Sequence, residues 1–312
     1  MERRLHGRSR LAHSRQRHRL LDISIAAENR LRGFRQGLKE AGYIEGENII
    51  IVYRWADDRT DQLPLLAADL VSRSVAAIIT AGVPSSSAAK AATTTIPIIF
   101  IVGTDPVQLG LAASLSRPGG NLTGINLFTS ELVAKRLEVL RDLLPQAKRM
   151  GVLANPSDAG ATDAQLKDID AAARAMALQI KVHNADTRDE IDAAFEAMGR
   201  DRPDAVFAGT TAFLNGRRVQ LAQLSTFYRL PAIYGLRDFV EAGGLISYGS
   251  DIIDSFRQAG RYVGRIVKGA KPGELPIVRA DKFELVINTR TARMLGLTLP
   301  SSLLGRADEI ID

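Results

Sequence analysis

The sequence predicts an α/β protein of two lobes, each a parallel sheet covered by helices. Three observations carry this. Apolar runs and helical periodicities alternate from residue 20 to the end, which is the pattern of strand–helix–strand units. The apolar runs are near-continuous, as in "IPIIFIV" at 96–102, and a strand buried on both faces reads that way. About nine such runs would be large for one open sheet, so two lobes of four or five strands each are expected.

The elements follow in order. Residues 27–41 place Leu31, Phe34 and Leu38 at helical spacing, and Gly42 ends the helix. A strand at 48–56, a helix at 60–74 and a strand at 75–82 come next. Pro84 and Ser85–Ser87 open a helix, the 96–102 strand follows, and 109–127 reads as a short helix, a Pro-Gly-Gly turn and a strand. The second half repeats the rhythm: helices at 130–145, 163–178, 189–201, 217–229 and 237–244, separated by strands beginning at 149, 179, 203, 230 and 245, then a long helix at 252–268.

Composition narrows the chemistry. The 312 residues are 46% hydrophobic and 24% charged, as in a water-soluble globular chain with room for two domains. There is no cysteine, so disulfides, thiolate metal sites and cysteine nucleophiles are excluded. Of four histidines, His6, His13 and His18 fall in the first eighteen residues, leaving His183, next to the Asn184–Asp186 loop, as the one body histidine. Residues 1–20 hold seven arginines and one glutamate, a net +6 that equals the charge of the whole chain. The body is therefore neutral, unlike the one-sided basic face of a nucleic-acid binder. Residues 1–19 read as a basic, disordered tail without the apolar core of a signal peptide. Nowhere are there 18 consecutive apolar residues, so no transmembrane helix is expected.

The informative residues stand just past the strands, where open α/β sheets bind ligands. Ser85 and Ser86 stand where a helix begins and could leave its free N–H groups for an anion, or Ser85 could simply cap the helix. Thr104 and Asp105 follow the 96–102 strand. Asp105 could receive a ligand amine or hydroxyl, or could open an Asp-Pro turn. Asn155, Thr210, Thr211, Phe213, Tyr234 and Tyr248 occupy the corresponding corners of the second half. Together they suit an amphipathic small-molecule cleft. No Gly-x-Gly-x-x-Gly, P-loop or Gly-x-Ser-x-Gly element is present. No nucleophile–base–orienter set is found, so no catalytic residue, metal or cofactor is expected.

Several blocks resemble one family. "FRQGLKEAGYIEGENIIIVYRWADDRTDQLPLLAADLV", "AAKAATTTIPIIFIVGTDPVQLGLAASLSRPGGNLTGI", "ELVAKRLEVLRDLLP", "VLANP", "FVEAGGLISYGSD" and "KFELVINTRTARMLGL" occur in its order. It is the family of ABC-transporter substrate-binding proteins with tryptophan- and tyrosine-binding members, and the resemblance covers about residues 21–312. It implies a type I periplasmic-binding-protein fold with ligand between two Rossmann-like lobes. Crossings are implied at Gly124–Asn126, at Ser247–Gly249 and near 276–281, which adds Asn126 to the site. Lobe 1 is then 20–123 plus 250–277, and lobe 2 is 124–249 plus 278–312. The family pattern also has a cleavable leader and a hydrophobic first strand. Here an arginine-rich segment precedes only the stub Leu20-Leu21-Asp22, as an altered start would produce, so the first strand is expected to be impaired and export is in question.

The function implied is a non-enzymatic solute receptor of an ABC importer. It would be a periplasmic monomer that binds a small polar organic ligand, an amino acid and in some cases an aromatic one, and delivers it to a membrane permease. The Ser85–Ser86 corner would hold the carboxylate, Asp105 the amine, and Phe213, Tyr234 and Tyr248 the side chain. The rival readings are the ligand-sensing domain of a regulatory protein and a defective product with an altered N-terminus.

Overall fold

The computed structural model describes residues 18–22, 28–56, 59–129 and 132–312. Most of the basic leader lies outside them. The first lobe opens with β1 (His18–Asp22), α1 (Glu28–Glu40), β2 (Ile49–Tyr53), a 3₁₀ turn, α2 (Leu63–Ser72) and β3 (Ala77–Ala81). It continues with α3 (Val83–Ala92), β4 (Ile98–Val102) and β5 (Leu122–Asn126). The chain then builds the second lobe: α4 (Val133–Leu143), β6 (Arg149–Ala154), α5 (Ala159–Ala175), β7 (Gln179–Asn184), α6 (Arg188–Asp201) and β8 (Ala205–Ala208). After these come α7 (Ala212–Gly216), α8 (Arg218–Phe227), β9 (Ala232–Tyr234), α9 (Arg237–Glu241) and β10 (Ile246–Ser250). It returns to the first lobe for α10 (Ile252–Val267) and β11 (Val278–Arg279). It ends in the second with β12 (Phe283–Asn288), α11 (Thr289–Met294), α12 (Ser301–Leu304) and β13 (Glu309–Ile311).

Among the described residues the first sheet has six strands in the order β11-β5-β4-β3-β1-β2, all parallel. The second has seven in the order β13-β12-β10-β9-β8-β6-β7, with β10 and β12 the antiparallel pair. Both exceed the four or five strands expected, because β11, β12 and β13 add late partners. The first strand, expected to be impaired, is formed: β1 lies between β2 and β3, with Leu20 opposite Ile51 and Ala77. The short helix expected after residue 106 is absent. Residues 106–121 run as turns, with Gly110 in the left-handed region at φ +67°.

Three crossings join the lobes: after β5, between β10 and α10, and between β11 and β12. The crossing expected at Gly124–Asn126 is the end of β5 in the first sheet, and that expected at Ser247–Gly249 lies inside β10. The first sheet therefore keeps 124–126 and 278–279, which the expected boundaries gave to lobe 2. The crossings lie side by side and bond to one another. Ser250 Oγ donates to Leu127 O at 2.6 Å, Ala280 N to Asn126 O at 2.9 Å, and Asp251 N to Lys282 O at 2.9 Å.

Helices α1 and α10 pack with their backbones nearly touching. A Cβ on Gly37 would stand 1.9 Å from Arg257 O, and one on Gly260 would stand 2.3 Å from Phe34 O. This close approach fixes where the N-terminal end of α1 meets the cleft.

Candidate ligand cleft

The carboxyl ends of both sheets face each other across a cleft. Among the described residues it holds a cavity of about 70 Å³, room for about two or three waters or one charged head group. The first lobe contributes Gly82 and Val83 at the start of α3, Gly103 and Thr104 after β4, and Arg30 from α1. Leu127 and Thr129 line it from the first crossing. The second lobe contributes Asp158, Thr210, Thr211, Asn215 and Leu236.

The lobes touch here. A Cβ on Gly82 would stand 3.3 Å from the Ala212 Cβ. Arg30 Nη2 donates to Asp238 Oδ2 of α9 at 2.9 Å, with side chains 5% and 8% exposed. That ion pair spans the cleft. The arrangement is a closed one.

Thr210 is held from behind. Gln165 clamps its backbone, accepting from Thr210 N and donating to Thr210 O, both at 3.0 Å. Arg136 Nη1 donates to Thr210 Oγ1 at 3.3 Å, while its Nε donates to Tyr248 O at 2.8 Å. Arg136 is fully buried, and burial pushes its pKa down to about 10. Because the Thr210 hydroxyl accepts from a guanidinium, its own proton is free to be donated into the cavity. Thr211 caps α7, accepting from Leu214 N at 3.3 Å. The Asp158 carboxyl, at the start of α5, is raised by burial, with the Ala161 amide pulling the other way.

Of the residues expected from sequence, Thr104, Thr210 and Thr211 line this cavity. The others do not. Ser85 and Ser86 are buried behind the start of α3, and their hydroxyls turn back onto Ala81 O and Gly82 O. Gly82 is the cap residue of that helix, at φ +95°, so neither serine is a cap. Asp105 accepts from Val107 N at 2.8 Å and closes its own turn. Asn126 accepts from Phe128 N at 2.9 Å and shapes the first crossing. Asn155 is spent on Ser157, Ala185 and Asp186. Tyr234 is fully buried, stacked on Phe239, with its hydroxyl 2.8 Å from Ser225 Oγ. Phe213 lies under the Arg217 guanidinium, and Tyr248 packs against the second-lobe core. His183, expected beside a loop, is the fifth residue of β7.

Sequence reading passed over Arg30, Thr129, Asp158 and Asn215. One signal was available: Arg30 precedes Phe34 and Leu38 by four and eight positions, so it stands on the apolar face of α1, where a charge requires a partner.

Two α/β lobes joined by three crossings, with a small cleft at the strand ends, define a type I periplasmic-binding-protein fold. The family described as ABC transporter substrate binding protein matches residues 25–311, and the chain belongs to that family. It is 28% identical over 266 residues to the tyrosine-binding protein of Clostridioides difficile strain R20291, covering 85% of this chain and 76% of that one. A conserved domain protein from Vibrio cholerae overlays with a TM-score of 0.87 at 27% identity, covering 95% and 100% of the two chains. An ABC domain from Streptococcus pneumonia in complex with L-Trp overlays at 0.85 and 23%, with the same coverage. Among the described residues no helix is long and apolar enough to cross a membrane.

Proposed function

We propose that the chain is the solute receptor of an ABC importer, taking an amino acid between its lobes and presenting it to a membrane permease. The observation that carries this is the pairing of opposite charges at one cavity: Arg30 from the first lobe and Asp158 from the second. A zwitterion has an anion and a cation to match them. The start of α3 at Val83 puts the positive end of a helix dipole on the anion's side. Thr104, Thr129, Thr210 and Asn215 supply hydrogen bonds, and Ala81, Ile101, Leu127, Leu236 and Ile252 supply aliphatic wall. Relatives named for tyrosine and crystallised with L-Trp support an amino acid as the class.

In this reading Asp158 replaces Asp105 as the amine's partner. The protein works as a monomer outside the cytoplasm, and its output is closure rather than turnover. The experiment is a thermal melt against the twenty L-amino acids and simple carboxylates. A ligand at a hundred times its Kd stabilises by about 2.7 kcal/mol, which raises the midpoint by about 5 °C. A cooperative melt that one amino-acid class moves supports the reading. A cooperative melt that no amino acid moves, or conversion of a bound one, overturns it.

A further inference from the structure

Arg30 is almost wholly buried, lines the cavity, and has one arm of its guanidinium on Asp238 of the other lobe. Its Nε is also buried, and among the described residues it has no acceptor. A buried charged donor without an acceptor is strongly unfavourable. A buried ion pair does little for stability by itself, since desolvation offsets most of the attraction. Among the described residues the guanidinium is left one acceptor short, on a cation that lines the cavity and whose counter-ion belongs to the opposite lobe.

We propose that Arg30 is the specificity-determining residue for the ligand's carboxylate and that it ties recognition to closure. The guanidinium donates to a carboxylate oxygen in the cleft while its Nη2 reaches across to Asp238. In the open protein both charges are hydrated and nothing is left unpaired. Closing buries Arg30, and only a ligand with an anionic oxygen at that point satisfies it. An amide of the same shape offers a weaker, neutral acceptor and closes the lobes less well. The coupling is reciprocal: whatever favours closure also tightens the hold on the carboxylate. This rests on the amino-acid reading above and deepens it, naming the residue that reads the acid and predicting that esters, amides and amino alcohols are rejected.

The test measures dissociation constants for whichever L-amino acids shift the melt, and for their primary amides. It compares wild type, Asp238→Asn, Arg30→Lys and the apolar double variant Arg30→Met/Asp238→Leu. The double variant removes both charges together, so that neither is left buried alone, and Arg30→Lys keeps a cation opposite Asp238 should the double variant not fold. Wild type is expected to prefer acid over amide by about tenfold or more. Asp238→Asn should weaken acid and amide alike and keep that ratio. The double variant should bring the ratio close to one, and Arg30→Lys should reduce it. A ratio near one in wild type, or an undiminished ratio in both the double variant and Arg30→Lys, overturns the assignment to Arg30 while the receptor reading stands. A wild type that no amino acid shifts overturns both.

Discussion

Glu284, the second residue of β12, lies opposite Gly249 of β10, close to the crossings. Its carboxyl is pushed up to about 7, chiefly by burial, with the nearby Asp251 carboxylate adding to the rise and Arg237 at 2.8 Å opposing it. The ordinary value is 4.5, so the folded chain holds this proton more tightly than the unfolded chain does. The resulting stability is fully present below about pH 4.5 and is lost as pH rises toward 7. Glu284→Gln removes the titration and keeps an acceptor for Arg237. It should melt higher than wild type at pH 8, by about 1–2 kcal/mol, with the gap closing by about pH 5. A gap independent of pH would show that burial does not govern this carboxyl. The residue scale is also where the sequence was least legible. Thr104, Thr210 and Thr211 stand just past β4 and β8, where open α/β sheets gather ligand contacts, so position alone singled them out. Arg30 could not be paired with Asp238, since the partners are 208 positions apart and on different lobes. Ser85 and Asp105 misled because Ser and Asp bond equally well to nearby backbone.

At the scale of elements, the contact between α1 and α10 sets the site. Gly33, Gly37 and Gly260 let the two backbones approach, and α1 carries Arg30 at its cleft end. Gly37→Ala puts a methyl group 1.9 Å from Arg257 O, which backbone must yield to. It should destabilise by about 1–3 kcal/mol and weaken ligand binding as well, since α1 moves as a body. Urea melts and ligand titration of the same variant check both. A loss of stability with unchanged affinity would separate α1 packing from the site. Most elements were legible, because 3.6-residue and continuous apolar patterns differ over ten residues. The exceptions have local causes. The 109–115 stretch looks helical by its leucines, but Gly110 takes a positive φ and the backbone closes turns around Pro106 instead. Strands β11 and β13 have two and three residues, too short for any period to register.

At the scale of the molecule, the closed arrangement can be watched directly. The chain has no cysteine, so two introduced ones label cleanly. Leu65 in the first lobe and Phe227 in the second are 74% and 77% exposed. With Leu65→Cys and Phe227→Cys carrying a fluorescent pair, the ligand found by melting should shorten the mean distance. Asp238→Asn should reduce that shortening by removing the ion pair across the cleft. A distance unmoved by ligand would mean that the lobes do not hinge. The two-lobe plan itself was legible from alternation and strand number. The seats of the crossings were displaced by a few residues, because a strand that ends at a hinge looks no different in sequence from one that ends at a loop.

The order of strands also bears on how the chain is made. Neither lobe is a single stretch: the first sheet waits for β11 at 278–279, and the second for β13 at 309–311. A ribosome adding about 5–20 residues per second leaves the outer edge of β5 bare for on the order of ten seconds while the other lobe is being synthesised. An unpaired edge invites pairing with other chains. The nascent protein is thus a client for whatever shields such edges, and cutting the gene at a lobe boundary would yield two unfinished halves rather than two domains.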